Sequence, residues 1–151
     1  MKGVKRVLVL AALAIIAIGV RLETRAPAPQ IVKVPPPDSG ATAEVRGHAV
    51  YAHYGCAACH GEDAKGGFAN PNSETDGKVP GVNFVAEGYT RSELRQYILK
   101  GQPTVGKTDP NGQQPPYRMP GWSGQMTDQD VGDLVEYLFS IYSKSDAVKF
   151  R

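Results

Sequence analysis

Both cysteines of this 151-residue chain fall inside one five-residue stretch, Cys56-Ala57-Ala58-Cys59-His60. A lone Cys-x-x-Cys-His serves three chemistries that ask different things of the surrounding fold: a zinc site, a thiol/disulfide centre, or covalent attachment of a c-type haem. Structural zinc takes four protein ligands, normally through a second Cys or His pair, and only His48 and His53 remain, both upstream. A thioredoxin-like centre sits between a strand and a helix, and no β-rich run flanks Cys56. Haem attachment needs no further cysteine, because two thiols add to the two vinyl groups of one porphyrin and the adjacent imidazole becomes the proximal iron ligand. The spacing favours one haem c held at Cys56 and Cys59 with His60 on the iron; zinc and thiol redox chemistry stand as alternatives.

The ends of the chain describe an exported protein. Lys2, Lys5 and Arg6 precede an uncharged run from Val7 to Val20, and Arg21 closes it. Those residues make about 21 Å of helix, short of the roughly 30 Å hydrocarbon core, which points to a cleaved signal. No good small-x-small cleavage site follows, and Lys5, Arg6 and Arg21 can snorkel to lengthen the span. Residues 1–25 are therefore read as an export signal retained as a single-pass anchor in the cytoplasmic membrane, with the remainder on the periplasmic side. Residues 26–43 carry Pro27, Pro29, Pro35, Pro36 and Pro37 and read as a linker that spans on the order of 55 Å if extended as polyproline II. Residues 44–151 form the one candidate domain, near −2 in charge, so the overall +2 belongs to the N-terminal segment and nucleic acid is not an expected partner.

Periodicity predicts an all-α domain of three main helices. Glu44 to Tyr54 offers Val45, Ala49, Val50, Tyr51 and Tyr54 as an apolar face ahead of the cysteine motif. Thr90 with Glu93 makes a capping box, Leu94, Tyr97 and Ile98 share a face, and Gly101 can stop that helix. Thr127 caps the third, with Asp130 at its positive end and Val131, Leu134, Val135, Leu138 and Tyr142 recurring at three and four. Residues 61–89 and 102–126 are long Gly/Pro-rich loops that need something to wrap, and a porphyrin would supply that apolar surface. Glu62, Asp63, Glu74 and Asp76 in the first loop lack EF-hand spacing and read as a solvated surface.

An iron held by His60 has either an open sixth position or a second ligand. Met119, in a proline-stiffened Pro-Pro-Tyr-Arg-Met-Pro loop, is the favoured candidate; Met126 sits beside a helix cap and reads as packing, and His48 and His53 lie on the helix leading into the motif. A thioether favours reduced iron, so a His/Met pair suits electron transfer.

Three stretches, GHAVYAHYGCAACHG, YTRSELRQYILKG and YRMPGWSGQMTDQDVGDLVEYLFS, together resemble the class I mono-haem cytochrome c family, in particular its bacterial membrane-anchored type. The resemblance covers nearly all of residues 44–142. It implies that Gly47 and Tyr51 cross the last helix at Tyr137 and Leu138, that the Pro80 carbonyl faces the proximal His60, and that the Trp122 indole reaches a haem propionate or packs in the core. It also implies a one-electron carrier and no enzyme activity, with a membrane-bound quinol-oxidising complex as donor and a terminal oxidase or photosynthetic reaction centre as acceptor. The competing readings are a fixed mono-haem subunit of a larger respiratory or photosynthetic complex, a haem enzyme or gas sensor with a vacated distal site, and an exported thiol oxidoreductase.

Overall fold

The computed structural model describes residues 33–36 and 38–142. The apolar run from Val7 to Val20 and residues 26–32 and 37 of the proline-rich segment lie outside the described residues, and no helix among the described residues is long and apolar enough to cross a membrane. Among the described residues there are four α-helices, α1 (Ala43–His53), α2 (Ala57–His60), α3 (Arg91–Lys100) and α4 (Asp128–Ser140), with a 3-10 turn at Val85–Glu87. Among the described residues there is no strand; three isolated antiparallel bridges, Ala69 with Lys78, Ser73 with Lys107 and Gln102 with Met119, pin loop to loop.

The predicted caps operate. Thr90 accepts from the Glu93 amide while the Glu93 carboxylate accepts from the Thr90 amide, and Thr127 and Asp130 make the same reciprocal pair at the start of α4. Asp130 thus satisfies an orphan amide as well as facing the helix dipole. The cap of α1 is Thr42, which lies two residues before the predicted start at Glu44 and whose hydroxyl accepts from the Val45 amide. Gly101, at φ 69°, ends α3 in a conformation that side chains resist.

The core lies where α1 crosses α4. Val50, Tyr51, Val131, Leu134, Val135 and Leu138 are buried there, each aliphatic side chain contributing about 1.5–3 kcal/mol by leaving water. Gly47 sets the closeness of approach. A Cβ built on it would meet the Asp133 carbonyl and lie 2.6 Å from the Tyr137 Cβ. Tyr51 and Tyr137 follow, with ring centroids 5.5 Å apart. Beside this crossing runs a buried ion pair that the sequence pattern does not announce. Arg46 donates to both oxygens of Asp133 at 2.7 Å, Gln129 donates to the same carboxylate at 3.0 Å, and Asp133 is 3% exposed. Full hydrogen bonding is what makes a carboxylate tolerable at that depth.

Arg46 also donates to the Ala41 carbonyl, and Val34 packs against the hydrophobic core. The end of the predicted linker is therefore part of the domain surface, and the domain reaches upstream of residue 44.

Candidate cofactor site

Gly55, at φ 74°, turns the chain out of α1, and the Cys56 amide donates to the Tyr51 carbonyl at 3.0 Å. The cysteine motif then winds into α2, where the His60 amide donates to the Cys56 carbonyl at 2.9 Å. One helical turn brings residues three and four apart onto one side, so Cys56, Cys59 and His60 line the same cavity. The buried Tyr51 hydroxyl donates to the Gly61 carbonyl at 2.7 Å and ties α1 to the end of this turn.

His60 Nδ1 donates to the Pro80 carbonyl at 2.8 Å. A carbonyl can only accept, so this bond places the proton on Nδ1 and leaves Nε2 with the lone pair a metal would take. Burial lowers the His60 pKa, and the Pro80 carbonyl opposes that effect only in part. The neutral, ligand-competent imidazole is the favoured form.

The carbonyl reaches the histidine because two glycines let the chain cross itself. A Cβ on Gly66 would lie 2.5 Å from the Pro80 carbonyl carbon, and one on Gly81 would lie 2.8 Å from the Lys65 carbonyl. A second crossing of the same kind stands at the other loop. A Cβ on Gly101 would lie 2.5 Å from the carbonyl carbon of Pro120, and one on Gly121 would lie 2.6 Å from the Lys100 carbonyl. This crossing carries Met119, whose carbonyl accepts from the Gln102 amide at 2.9 Å. The signal in the sequence is the repeated Pro-Gly dipeptide, Pro80-Gly81 and Pro120-Gly121, in which the glycine permits close approach.

Both crossings open onto one cavity of about 810 Å³, lined by Cys56, Cys59, His60, Met119 and Trp122 together with Val82, Val85, Leu94 and Ile98. That volume lies within the roughly 300–1,000 Å³ of small-molecule and cofactor sites. Trp122 is half-buried, edge-to-face with Tyr54 at 5.5 Å, and its amide donates to the Ile98 carbonyl at 3.3 Å. Met126 is buried in the core cluster and is not part of the lining. His48 and His53 are exposed on α1, His48 against Tyr137 and His53 against Tyr54, and neither lines the cavity.

The electrostatics separate the three chemistries of a Cys-x-x-Cys-His. Burial pushes the Cys56 thiol up to about 11, the reverse of the lowered pKa that makes a thiol/disulfide centre reactive. Among the described residues no three His, Cys, Asp or Glu side chains gather as a metal-binding group. A large apolar cavity with two thiols and one pre-oriented imidazole on its wall fits a c-type haem.

The family model for cytochrome c matches residues 44–141. The chain belongs to the cytochrome c family. No curated protein and no solved structure gives a match. Membership brings haem-based electron transfer with a covalently attached haem c, and the two cysteines available for that attachment in this cytochrome c domain are Cys56 and Cys59. The matched span begins within α1 and ends at Ile141, the residue that caps α4, so it contains the whole cavity wall named above.

Proposed function

We propose that this protein is a one-electron carrier between membrane redox complexes, working through a single haem attached at Cys56 and Cys59 with His60 and Met119 as axial ligands. The observation that carries the reading is one apolar cavity that receives both thiols, an imidazole committed through Nδ1, and a thioether delivered from a separate loop. The haem, when bound, supplies an iron that gains and loses one electron. Pro80 orients the His60 ring and increases its basicity, Met119 supplies a soft neutral donor that favours the reduced state, and the apolar wall keeps water away. Trp122, on the same wall, is the indole available to a propionate. Met119 also distinguishes this reading from a haem enzyme or gas sensor, which needs a vacant position on the iron.

Acid-acetone extraction tests attachment: colour should stay on the protein, and Cys56→Ala with Cys59→Ala should give colourless or absent product. Met119→Ala should remove the far-red sulfur-to-iron charge-transfer band, lower the potential, and open the iron to carbon monoxide, whereas Met126→Ala should leave the band in place. The reverse pattern would move the ligand to Met126.

The partners proposed are a membrane-bound quinol-oxidising donor and a terminal oxidase or photosynthetic reaction centre as acceptor, with residues 7–20 retained as the anchor and the haem domain on the periplasmic side. Val34 packs on the domain, so the part of the proline-rich segment that would add to the reach is residues 26–32, about 22 Å were it extended. That shortened reach gives a second reading its support: a fixed subunit that relays electrons inside a larger complex.

A further inference from the structure

Met119 is held on its C-terminal side by main chain. The Trp122 and Ser123 amides donate to the carbonyls of Ile98 and Leu99 at 3.3 and 3.1 Å, next to the Gly101 and Gly121 crossing. On its N-terminal side the approach is Pro115-Pro116-Tyr117-Arg118, and prolines have no amide proton with which to build a ladder. There side chains take over: Arg118 reaches the Pro103 carbonyl at only 3.5 Å and Gln114 reaches the Val105 carbonyl at 3.0 Å, while the peptide of Tyr117 itself is held by Asn70. Asn70 Nδ2 donates to the Tyr117 carbonyl at 3.1 Å, and the Tyr117 amide donates back to Asn70 Oδ1 at 3.1 Å. The carboxamide thereby imitates one peptide unit of a β-bridge. Asn70 is 3% exposed, lines the haem cavity, and is itself fixed by its own amide donating to the Gly77 carbonyl at 2.7 Å.

We propose that Asn70 is the positioning residue for the distal ligand, the group that keeps Met119 at the iron by clamping the peptide two residues before it. This rests on the reading of Met119 as an iron ligand. The mechanism is a coupling of costs. If the loop swings away, a buried carboxamide loses a donor and an acceptor partner at once, and leaving such groups unmade is expensive. The clamp therefore biases the loop toward its ligated position without touching the haem iron. Asn72 provides the contrast. It staples the same two loops by accepting from the Asp109 amide at 2.8 Å and donating to the Gln113 carbonyl at 2.7 Å, upstream of the prolines and away from Tyr117.

The test uses the full-length haem-loaded protein in three variants, Asn70→Ala, Asn70→Asp and Asn72→Ala, read by the far-red band and by titration with imidazole, which competes for the sixth position. Asn70→Asp keeps the acceptor for the Tyr117 amide and sets a carboxylate oxygen against the Tyr117 carbonyl in place of the donor, so it is an independent second way to break the clamp if Asn70→Ala fails to fold. Loss of one hydrogen bond should weaken the band and raise imidazole affinity about three- to tenfold, in Asn70→Ala and Asn70→Asp alike. Asn72→Ala should lower thermal stability and leave imidazole affinity unchanged. Unchanged affinity in both Asn70 variants, or an equal rise in Asn72→Ala, overturns the proposal and makes Asn70 an ordinary loop staple. Met119→Ala in parallel keeps the two levels apart: a band that survives it refutes the ligand reading, while a band lost there and intact in both Asn70 variants refutes only the clamp.

Discussion

Alanine at Gly47 and alanine at Gly132 add the same methyl group to two helix interiors and should move stability in opposite directions. Helix propensity favours alanine over glycine by about 0.8–1 kcal/mol at both places. At Gly132 nothing lies within 4 Å of the added Cβ, so that gain should appear nearly whole. At Gly47 the Cβ would strike the Asp133 carbonyl and come within 2.6 Å of the Tyr137 Cβ, where ordinary carbon contacts are roughly 3.5–4.0 Å. The obstacle is main chain and cannot rotate away, so α1 and α4 must part by about 1 Å or more and loosen Val50, Tyr51 and Leu134. Overpacking of this kind costs about 1–3 kcal/mol and sometimes more, and a backbone obstacle belongs at the upper end. The net loss should be about 2–3 kcal/mol after the propensity gain. At roughly 4–6 °C per kcal/mol, Gly47→Ala should lower the Tm by about 10–15 °C, and Gly132→Ala should raise it by a few degrees. Thermal denaturation of the haem-loaded proteins under one set of conditions reads both. A neutral or stabilised Gly47→Ala would refute the close helix crossing on which the fold description depends.

Asp133→Ala should lower the Tm well beyond Glu136→Ala, because the Arg46–Asp133 side chains are 11% and 4% exposed while those of Arg91–Glu136 are 57% and 37%; equal shifts would deny the buried pair its role. The Thr90 amide and hydroxyl bonds lower the Glu93 pKa, so its contribution is fully present above the unfolded value of 4.5 and is lost as pH falls through the folded value. Tm measured against pH should therefore show wild type above Glu93→Gln at neutral pH, with the two curves converging in acid; parallel curves would contradict the cap. Replacing residues 26–32 by a Gly/Ser run of equal length should preserve electron delivery in a tethered carrier, whereas a drop in turnover together with loss of co-purifying subunits would identify the fixed-subunit reading. N-terminal sequencing of protein from its native host should find Lys2 and Lys5 still attached, and a start near Ala26 would make it a soluble carrier.

What could be read from the chain alone is what depends on neighbours three or four residues apart. The Thr90/Glu93 and Thr127/Asp130 pairs set the starts of α3 and α4, because a capping box is closed inside one turn. The Cys56/Cys59/His60 spacing names its chemistry for the same reason: one helical turn is enough to put two thiols and an imidazole on one wall. Met119 was favoured over Met126 by its proline-stiffened loop, and in the structure Met119 lines the cavity while Met126 lies in the core. The other decisions belong to tertiary structure. Arg46 and Asp133 are 87 residues apart and look like two surface charges until α1 lies on α4. Pro80, to which only the family resemblance pointed, reaches His60, and Asn70 reaches Tyr117, across 20 and 47 residues of chain with no periodic signal between them. Such contacts follow from where Gly66 passes Gly81 and Gly101 passes Gly121, and a missing Cβ permits that approach without specifying which strand of chain arrives.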